Sequence, residues 1–208
     1  MNVDILMSER TLLTGENSSE LSKDCFKFLF SGVKHHAGSI GEPEELKGFF
    51  KKRKKIILSG DRGIYFTTYS PLDDLIKNYE NFSFFNRKFI DSGYVNLIDL
   101  NIIIERFGFN KDKDDPFDFF RKEIGLIGDV TKELGVNRFV IDPLSSLFSR
   151  FEDINAVRNG IVELAVMLDE IDCKILLTSI KNDVLSFSYD DFNNLLKSAL
   201  NFDNVIEK

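Results

Sequence analysis

The chain has 208 residues, of which 43 % are hydrophobic and 29 % are charged, and its formal net charge is −7. This much apolar material excludes a disordered linker, and we expect residues 1–208 to fold as a single domain. The acidic balance disfavours binding to nucleic acid or to an anionic membrane, because attraction to phosphate groups needs a positive potential.

Cysteine usage and hydropathy predict a cytoplasmic protein. Cys25 and Cys173 lie far apart in the sequence, which favours reduced thiols in a core over a disulfide. No run of about eighteen apolar residues is free of charges, so no membrane span is predicted. The amino terminus lacks the basic and long apolar regions of a secretory signal.

Strand and helix patterns alternate along the chain. Apolar runs predict strands at 10–15, 64–68, 94–100, 137–142 and 174–179, with an edge strand at 205–206. Helical spacing covers 19–36, a stretch from Pro43 into the basic run 51–55, a helix capped by Ser70 with Pro71 at its first position, a helix from Pro116, and the ranges 153–171 and 190–200. This alternation predicts a three-layer α/β fold, in which helices cover both faces of a mostly parallel central sheet.

The first strand ends in the frame of a phosphate-binding loop. In the pattern G-x-x-x-x-G-K-[ST], backbone N–H groups wrap the phosphates, the lysine supplies positive charge, and the hydroxyl holds magnesium. Residues 15–22, GENSSELS, carry Glu20 in place of the second glycine and Leu21 in place of the lysine. The candidate nucleotide-binding residues of this degenerate loop are Gly15, Ser18, Ser19 and Ser22.

A second motif ends the strand 137–142, where three apolar residues precede Asp142. Phosphoryl-transfer enzymes place the carboxylate that orders their magnesium shell after such a strand. A buried strand that ends in a helix-capping aspartate gives the same pattern. Ser22 and Asp142 are therefore the candidate ligands of a magnesium ion.

The order of these motifs resembles the KaiC-like branch of the RecA-type P-loop ATPases, from Arg10 to Ile206. The segments that carry the resemblance are RTLLTGENSSELSKDCFKFLFSGVK, IYFTTYSPLDDLIKN, FIDSGYVNLIDL, RFVIDPLSSLF and KILLTS. It implies a RecA-like P-loop NTPase fold, with ATP and magnesium as ligands and a nucleotide-dependent hexamer. Only nine residues precede Arg10, so the family's glycine-rich leader is not expected here, and neither is that hexamer.

The resemblance also implies that catalytic residues are replaced. Members of this branch carry two consecutive glutamates that activate water, whereas Thr68 and Tyr69 stand at these positions. Phosphoryl transfer depends on positioning and charge stabilisation, and the residues that provide both are replaced at positions 20, 21, 68 and 69. We therefore expect no catalytic residue and no required cofactor. The leading hypothesis is a pseudo-ATPase with a regulatory or scaffolding role, whose partner is an active paralogue or a second copy of the chain.

Two other functions stay open from the sequence. An atypical protein that binds ATP and magnesium would use Ser22 and Asp142, with the lost lysine replaced by Lys23 or by a residue from another chain. A DNA-associated recombinase paralogue would use the basic stretch 47–55. Three smaller features each have a structural and a functional interpretation: His35-His36 (helix end or metal ligands), Thr178-Ser179 (strand-end hydroxyls or phosphate sensor) and the Phe-rich segment 82–89 (core corner or interaction patch).

Overall fold

The computed structural model of this protein describes residues 9–39, 54–107, 115–149, 151–181 and 187–208. The strands are β1 (Arg10–Gly15), β2 (Val33–Ser39), β3 (Lys54–Gly60), β4 (Gly63–Thr67), β5 (Val95–Asp99), β6 (Arg138–Asp142), β7 (Lys174–Ile180) and β8 (Asn204–Glu207). The helices are α1 (Ser18–Ser31), α2 (Leu72–Tyr79), α3 (Arg87–Asp91), α4 (Leu100–Phe107), α5 (Pro116–Leu134), α6 (Leu144–Phe148), α7 (Ile154–Glu170) and α8 (Tyr189–Leu200).

Within the described ranges, six strands form one parallel sheet in the order β5-β4-β6-β7-β1-β8. Strands β2 and β3 pair with each other as a separate antiparallel ribbon. Because the six strands run in one direction, their carboxyl ends share one edge of the sheet. Thr67 lies beside Asp142 in the register of β4 and β6, and Gly15 lies beside Ile180 in that of β1 and β7.

Successive residues of the inner strands face opposite layers, as the pleat of a strand requires. In β6, Phe139 and Ile141 pack into the layer of α5, α6, α7 and α8, whereas Val140 packs into the layer of α1, α2 and α3. All three side chains are fully buried. The strands read as continuous apolar runs because both faces are covered. This arrangement confirms the predicted three-layer α/β fold with a parallel central sheet.

Helix α5 shows how local sequence signals set the boundaries that the pattern predicts. The Asp115 carboxylate accepts hydrogen bonds from the N–H groups of Phe117 (2.9 Å) and Asp118 (3.0 Å), and Pro116 occupies the first turn. The helix ends at Gly135, whose φ of 55° lies in the left-handed region that favours glycine. No helix among the described residues is both long and apolar enough to cross a membrane.

The helix predicted over 19–36 is wrong beyond Ser31. Gly32 is the C-cap of α1, and Nη1 of Arg138 donates to the Phe28 carbonyl in the last turn at 2.5 Å. A Cβ at position 32 would lie 2.3 Å from Nε of Arg138, so glycine makes room for this arginine. The next residues form β2, so His35 and His36 lie on a strand and not at a helix end.

Two other boundaries of predicted helices also differ. The stretch that begins at Pro43 lies outside the described residues as far as 53, but its predicted end at Lys54-Lys55 belongs to β3. Pairing of β3 with β2 across the chain overrides the local helical pattern there. The predictions that Ser70 caps α2 and that Pro71 is its first residue are wrong: α2 begins at Leu72, so Pro71 is the N-cap residue, and no side chain caps the helix. The chain turns before it, where the carbonyl and N–H of Ser70 both bond to the hydroxyl of Thr67 (2.9 and 3.3 Å).

Candidate functional site

The segment that follows β1 is a tight turn and not a wide phosphate-binding loop. β1 ends at Gly15 and α1 begins at Ser18, with Asn17 as its N-cap. The Asn17 side chain accepts from the N–H of Glu20 at 3.3 Å, and its carbonyl accepts from the N–H groups of Glu20 (3.1 Å) and Leu21 (3.2 Å). Backbone donors of the kind that would wrap a phosphate are therefore used inside the helix. The spacing Asn17-x-x-Glu20 is a capping signal from which the sequence could have predicted this early helix start.

The two motif positions that flank this turn have structural roles. A Cβ on Gly15 would lie 2.8 Å from the carbonyl oxygen of Lys208, so this glycine permits the close pairing of β8 against β1. Leu21, which stands at the lysine position of the motif, is fully buried in the core that α1 forms with the sheet. No cation occupies the position from which a phosphate loop presents its lysine.

Acidic side chains on the turn and on α1 are paired with lysines from the neighbouring strands. Lys208 lies 3.4 Å from Glu20 and also bonds to the buried carboxylate of Asp24. The Lys181 ammonium lies 3.6 Å from Glu16. These ion pairs neutralise part of the negative charge where a phosphate would otherwise meet it.

Asp142 is the buried centre of the site. Its Oδ2 accepts hydrogen bonds from the hydroxyls of Ser22 (2.5 Å) and Tyr65, and its Oδ1 accepts from Thr178. All four side chains are less than 10 % exposed, and they come from β6, α1, β4 and β7. The structure thus brings the predicted pair Ser22 and Asp142 into contact, and it gives Thr178 a structural partner.

Ser22 and Asp142, the predicted magnesium ligands, are in hydrogen-bond contact here. Mg²⁺ takes oxygen ligands at about 2.0–2.1 Å in near-octahedral geometry and usually keeps several waters. Both carboxylate oxygens of Asp142 accept from hydroxyl groups, and Ser22 donates to one of them. No group of three or more His, Cys, Asp and Glu side chains suited to a metal occurs in the described part of the chain. Magnesium binding at this pair stays a prediction.

Burial keeps the hydroxyl and thiol groups beside Asp142 protonated. Burial raises the pKa of Tyr65 well above its ordinary value, and the negative charge of Asp142 raises it further. The pKa of the Cys25 thiol is raised by the same two causes. Tyr65 therefore remains a hydrogen-bond donor to Asp142 over the physiological pH range. Sequence reasoning missed Tyr65, although a hydroxyl inside the apolar strand IYFT signals that a buried partner exists.

A cleft of about 100 Å³ opens over this cluster, between the start of α1, the end of β4 and helix α2. Its lining residues are mostly hydroxyl-bearing: Ser18, Ser19, Ser22, Tyr65, Thr67, Tyr69, Ser70, Leu75, Asn78, Tyr79, Asp142 and Pro143. On one wall, the Tyr79 hydroxyl donates to the Ser19 carbonyl at 2.8 Å. The cleft is smaller than typical ligand pockets, which measure roughly 300–1,000 Å³.

The end of β4, where the resemblance implies that two glutamates are replaced, has no carboxylate at positions 68 and 69. The Thr68 hydroxyl donates to the carbonyl of Pro143 at 2.6 Å, and Tyr69 is 64 % exposed. Neither side chain is a general base at neutral pH, since a hydroxyl lacks the basicity of a carboxylate.

The remaining predicted features lie away from the cleft. The Lys23 ammonium sits 4.4 Å from the ring centroid of Phe82, so it does not replace the lost lysine. Phe84 and Phe85 are half-buried against the core, which favours the core-corner interpretation of the segment 82–89. The side chains of His35 and His36, and the stretch 47–53, lie outside the described parts of the structure.

Comparisons with known proteins agree with this architecture. The model of the family "ATPase: KaiC" matches residues 50–194, more than half of the chain, and begins after the turn 15–17. A KaiC-like protein from the archaeon Pyrococcus horikoshii OT3 has a similar structure, with a TM-score of 0.55 and 20 % identity. The match covers 89 % of this chain but only 66 % of that protein, and at this identity it shows the fold alone. No curated protein matches the chain. The chain belongs to the KaiC family of ATPases and has its RecA-type P-loop fold.

Proposed function

We propose that this chain is a KaiC-family pseudo-ATPase: it does not hydrolyse ATP, and it acts as a regulatory or scaffolding partner of another protein. The observation that carries the proposal is the turn at 15–17, where Asn17 starts α1 early and uses the N–H groups of Glu20 and Leu21. A triphosphate wrapped by residues 15–22 would need the N–H groups of Glu20 and Leu21, so the first turn of this helix would have to unwind.

The charges near the turn oppose such unwinding. Nucleotide binding would have to separate Glu16 and Glu20 from their lysine partners, and it would bring the phosphates close to both carboxylates. Loss of the N-cap alone costs about 1 kcal/mol. Because position 21 is a buried leucine, the motif lysine that would compensate for these costs is absent.

Catalysis lacks its other components as well. Thr68 and Tyr69 offer no carboxylate to activate water, and the Asp142 carboxylate accepts hydrogen bonds from three hydroxyl groups. Loss of a single charge-stabilising donor typically lowers kcat by about 10²–10³. A site that lacks the lysine, the open loop and the general base should therefore have no useful turnover.

A retained fold with a replaced site supports a role through protein contacts. The partner would be an active paralogue in the same family or a second copy of this chain, with residues 1–208 acting as one domain. The family relationship motivates this choice of partner, since a shared fold offers matching surfaces for assembly.

ATP turnover by the purified chain tests the proposal, with an intact KaiC-family ATPase assayed in parallel. We expect a rate at least about a thousandfold below that of the intact enzyme, unchanged in Asp142→Ala. Calorimetry with ATP and magnesium at millimolar concentration should give no binding heat. Turnover comparable to the intact enzyme and abolished by Asp142→Ala would contradict the pseudo-ATPase, and saturable heat without turnover would favour an ATP-binding protein instead.

A further inference from the structure

The hydroxyl groups at the floor of the cleft have their protons committed to acceptors inside the protein. A carboxylate only accepts hydrogen bonds, so Ser22 and Tyr65 must each donate their single hydroxyl proton to Asp142. On the wall, Tyr79 donates its proton to the Ser19 carbonyl. A hydroxyl that has donated its proton keeps only lone pairs for other partners. The three oxygen atoms can therefore only accept hydrogen bonds from a molecule in the cleft.

The charge of the lining has the same preference. Asp142 is 2 % exposed, and none of the described lining residues is Lys, Arg or His. A carboxylate in such a partly desolvated site attracts a cation more strongly than a surface carboxylate does. The side chains of the cleft therefore lack the positive charge that a phosphate site needs, and the start of α1 is the one anion-favouring feature of the described lining.

An exposed aromatic ring and the size of the cleft narrow the class of cation. Tyr69 lines the cleft and is 64 % exposed, so the face of its ring is accessible, and such faces attract organic cations. Tyr65 and Tyr79 also line the cleft, but their rings are buried and pack on Phe26 at centroid distances of 4.9 and 4.8 Å. A volume of about 100 Å³ accommodates an ammonium group with its adjoining methylene groups.

We propose that this cleft binds a primary alkylammonium group, carried by a lysine side chain of a protein partner or by a small free amine. The inference rests on the proposed function and extends it, since it names the chemistry by which the partner is recognised. The ammonium has three N–H donors. Two of these would meet the acceptor oxygens of Ser22 and Tyr79, with Asp142 behind Ser22 as countercharge and Tyr69 covering the methylene chain.

A titration with n-butylammonium chloride tests the inference directly. The chain has five tyrosines and no tryptophan, so tyrosine emission reports on the three rings of the cleft. Amide shifts in NMR spectra should be confined to residues that line the cleft, such as Ser19 and Asn78. 1-Butanol is the uncharged control of the same length, and potassium chloride controls for ionic strength. We expect butylammonium to bind at least about tenfold more tightly than 1-butanol, because charge-assisted hydrogen bonds are the stronger kind.

Two variants and a control variant locate the site. Tyr69→Ala, at an exposed rim position, should weaken butylammonium binding about two- to fivefold, while Val162→Ala, on the exposed face of α7, should have no effect. Asp142→Asn should abolish binding, and Tyr69→Ala keeps the test decisive if that variant fails to fold. Tighter binding of Nα-acetyl-lysine methylamide than of butylammonium would assign the group to a peptide, and equal or weaker binding would assign it to a free amine.

Several results would overturn the inference. Equal binding of 1-butanol would show that the charge is not recognised. If inorganic phosphate shifted the same resonances and butylammonium did not, the first turn of α1 would be a residual anion site. Absence of butylammonium binding together with absence of ATP binding would reject the ammonium site alone, whereas ATP turnover would reject the proposed function.

Discussion

Replacing Tyr65 with phenylalanine isolates one of the hydrogen bonds that converge on Asp142. The variant keeps the ring, which is fully buried and stacks on Phe26 at a centroid distance of 4.9 Å, and it removes only the hydroxyl. Hydrogen bonds to charged groups contribute about 1.5–3 kcal/mol to stability. Since Ser22 still donates to the same carboxylate oxygen, we expect the free energy of unfolding to fall by an amount within that range.

Urea unfolding followed by far-UV circular dichroism measures this change, and the slope of the transition should stay constant. Tyr189→Phe is the matched control, because its hydroxyl donates to the neutral carbonyl of Ser179 at 3.3 Å. That loss should cost about 0.5–1.5 kcal/mol at most. If Tyr65→Phe costs no more than Tyr189→Phe, the hydroxyl does not donate to a buried carboxylate. A double-mutant cycle with Ser22→Ala should be non-additive, since both hydroxyls share Oδ2 of Asp142.

Three other predictions follow from the described contacts. Gly15→Ala should destabilise the fold by about 1–3 kcal/mol in urea unfolding, because the new Cβ would lie 2.8 Å from the Lys208 carbonyl oxygen. Gly125→Ala is the control: no atom lies within 4 Å of its Cβ, so this variant should be neutral or stabilising. Iodoacetamide at pH 8 should alkylate Cys173 about two orders of magnitude more slowly in the native protein than in urea. The reason is that burial and the charge of Asp172 raise the pKa of the Cys173 thiol to about 11. Equal rates would contradict this. The difference in free energy of unfolding between wild type and Tyr65→Phe should be constant below about pH 10 and decrease above it. Because the pKa of Tyr65 is raised in the folded state, the unfolded chain loses this proton at a lower pH, which destabilises only the wild type. A difference that increases above pH 10 in urea titrations would contradict this.

The buried strands could be predicted closely because their pattern is local and strong. The prediction of 10–15 coincides with β1, and 174–179 differs from β7 by one residue. The ribbon of β2 and β3 could not be predicted in the same way. Its stability depends on pairing between segments that are separated by residues 40–53, whereas the local pattern around Lys54 is also compatible with a helix.

The residues of the candidate site could be predicted from the sequence, but their arrangement could not. The spacing from Gly15 to Ser22 and the apolar strand before Asp142 both match motifs, and the structure brings Ser22 and Asp142 into contact. The eight-residue motif pattern over 15–22 does not by itself show that Asn17 caps α1. The same number of residues could form a phosphate-binding loop of the usual length. The hydrogen bond from Tyr65 to Asp142 depends on the register of β4 beside β6, which cannot be derived from a single sequence.

The most direct test of the central claim is a crystal structure of the chain soaked with ATP and magnesium. The account predicts that α1 still begins at Ser18, that Asn17 still caps it, and that no triphosphate lies against residues 15–22. A triphosphate wrapped by the backbone of 15–22, with magnesium between Ser22 and Asp142, would contradict the account.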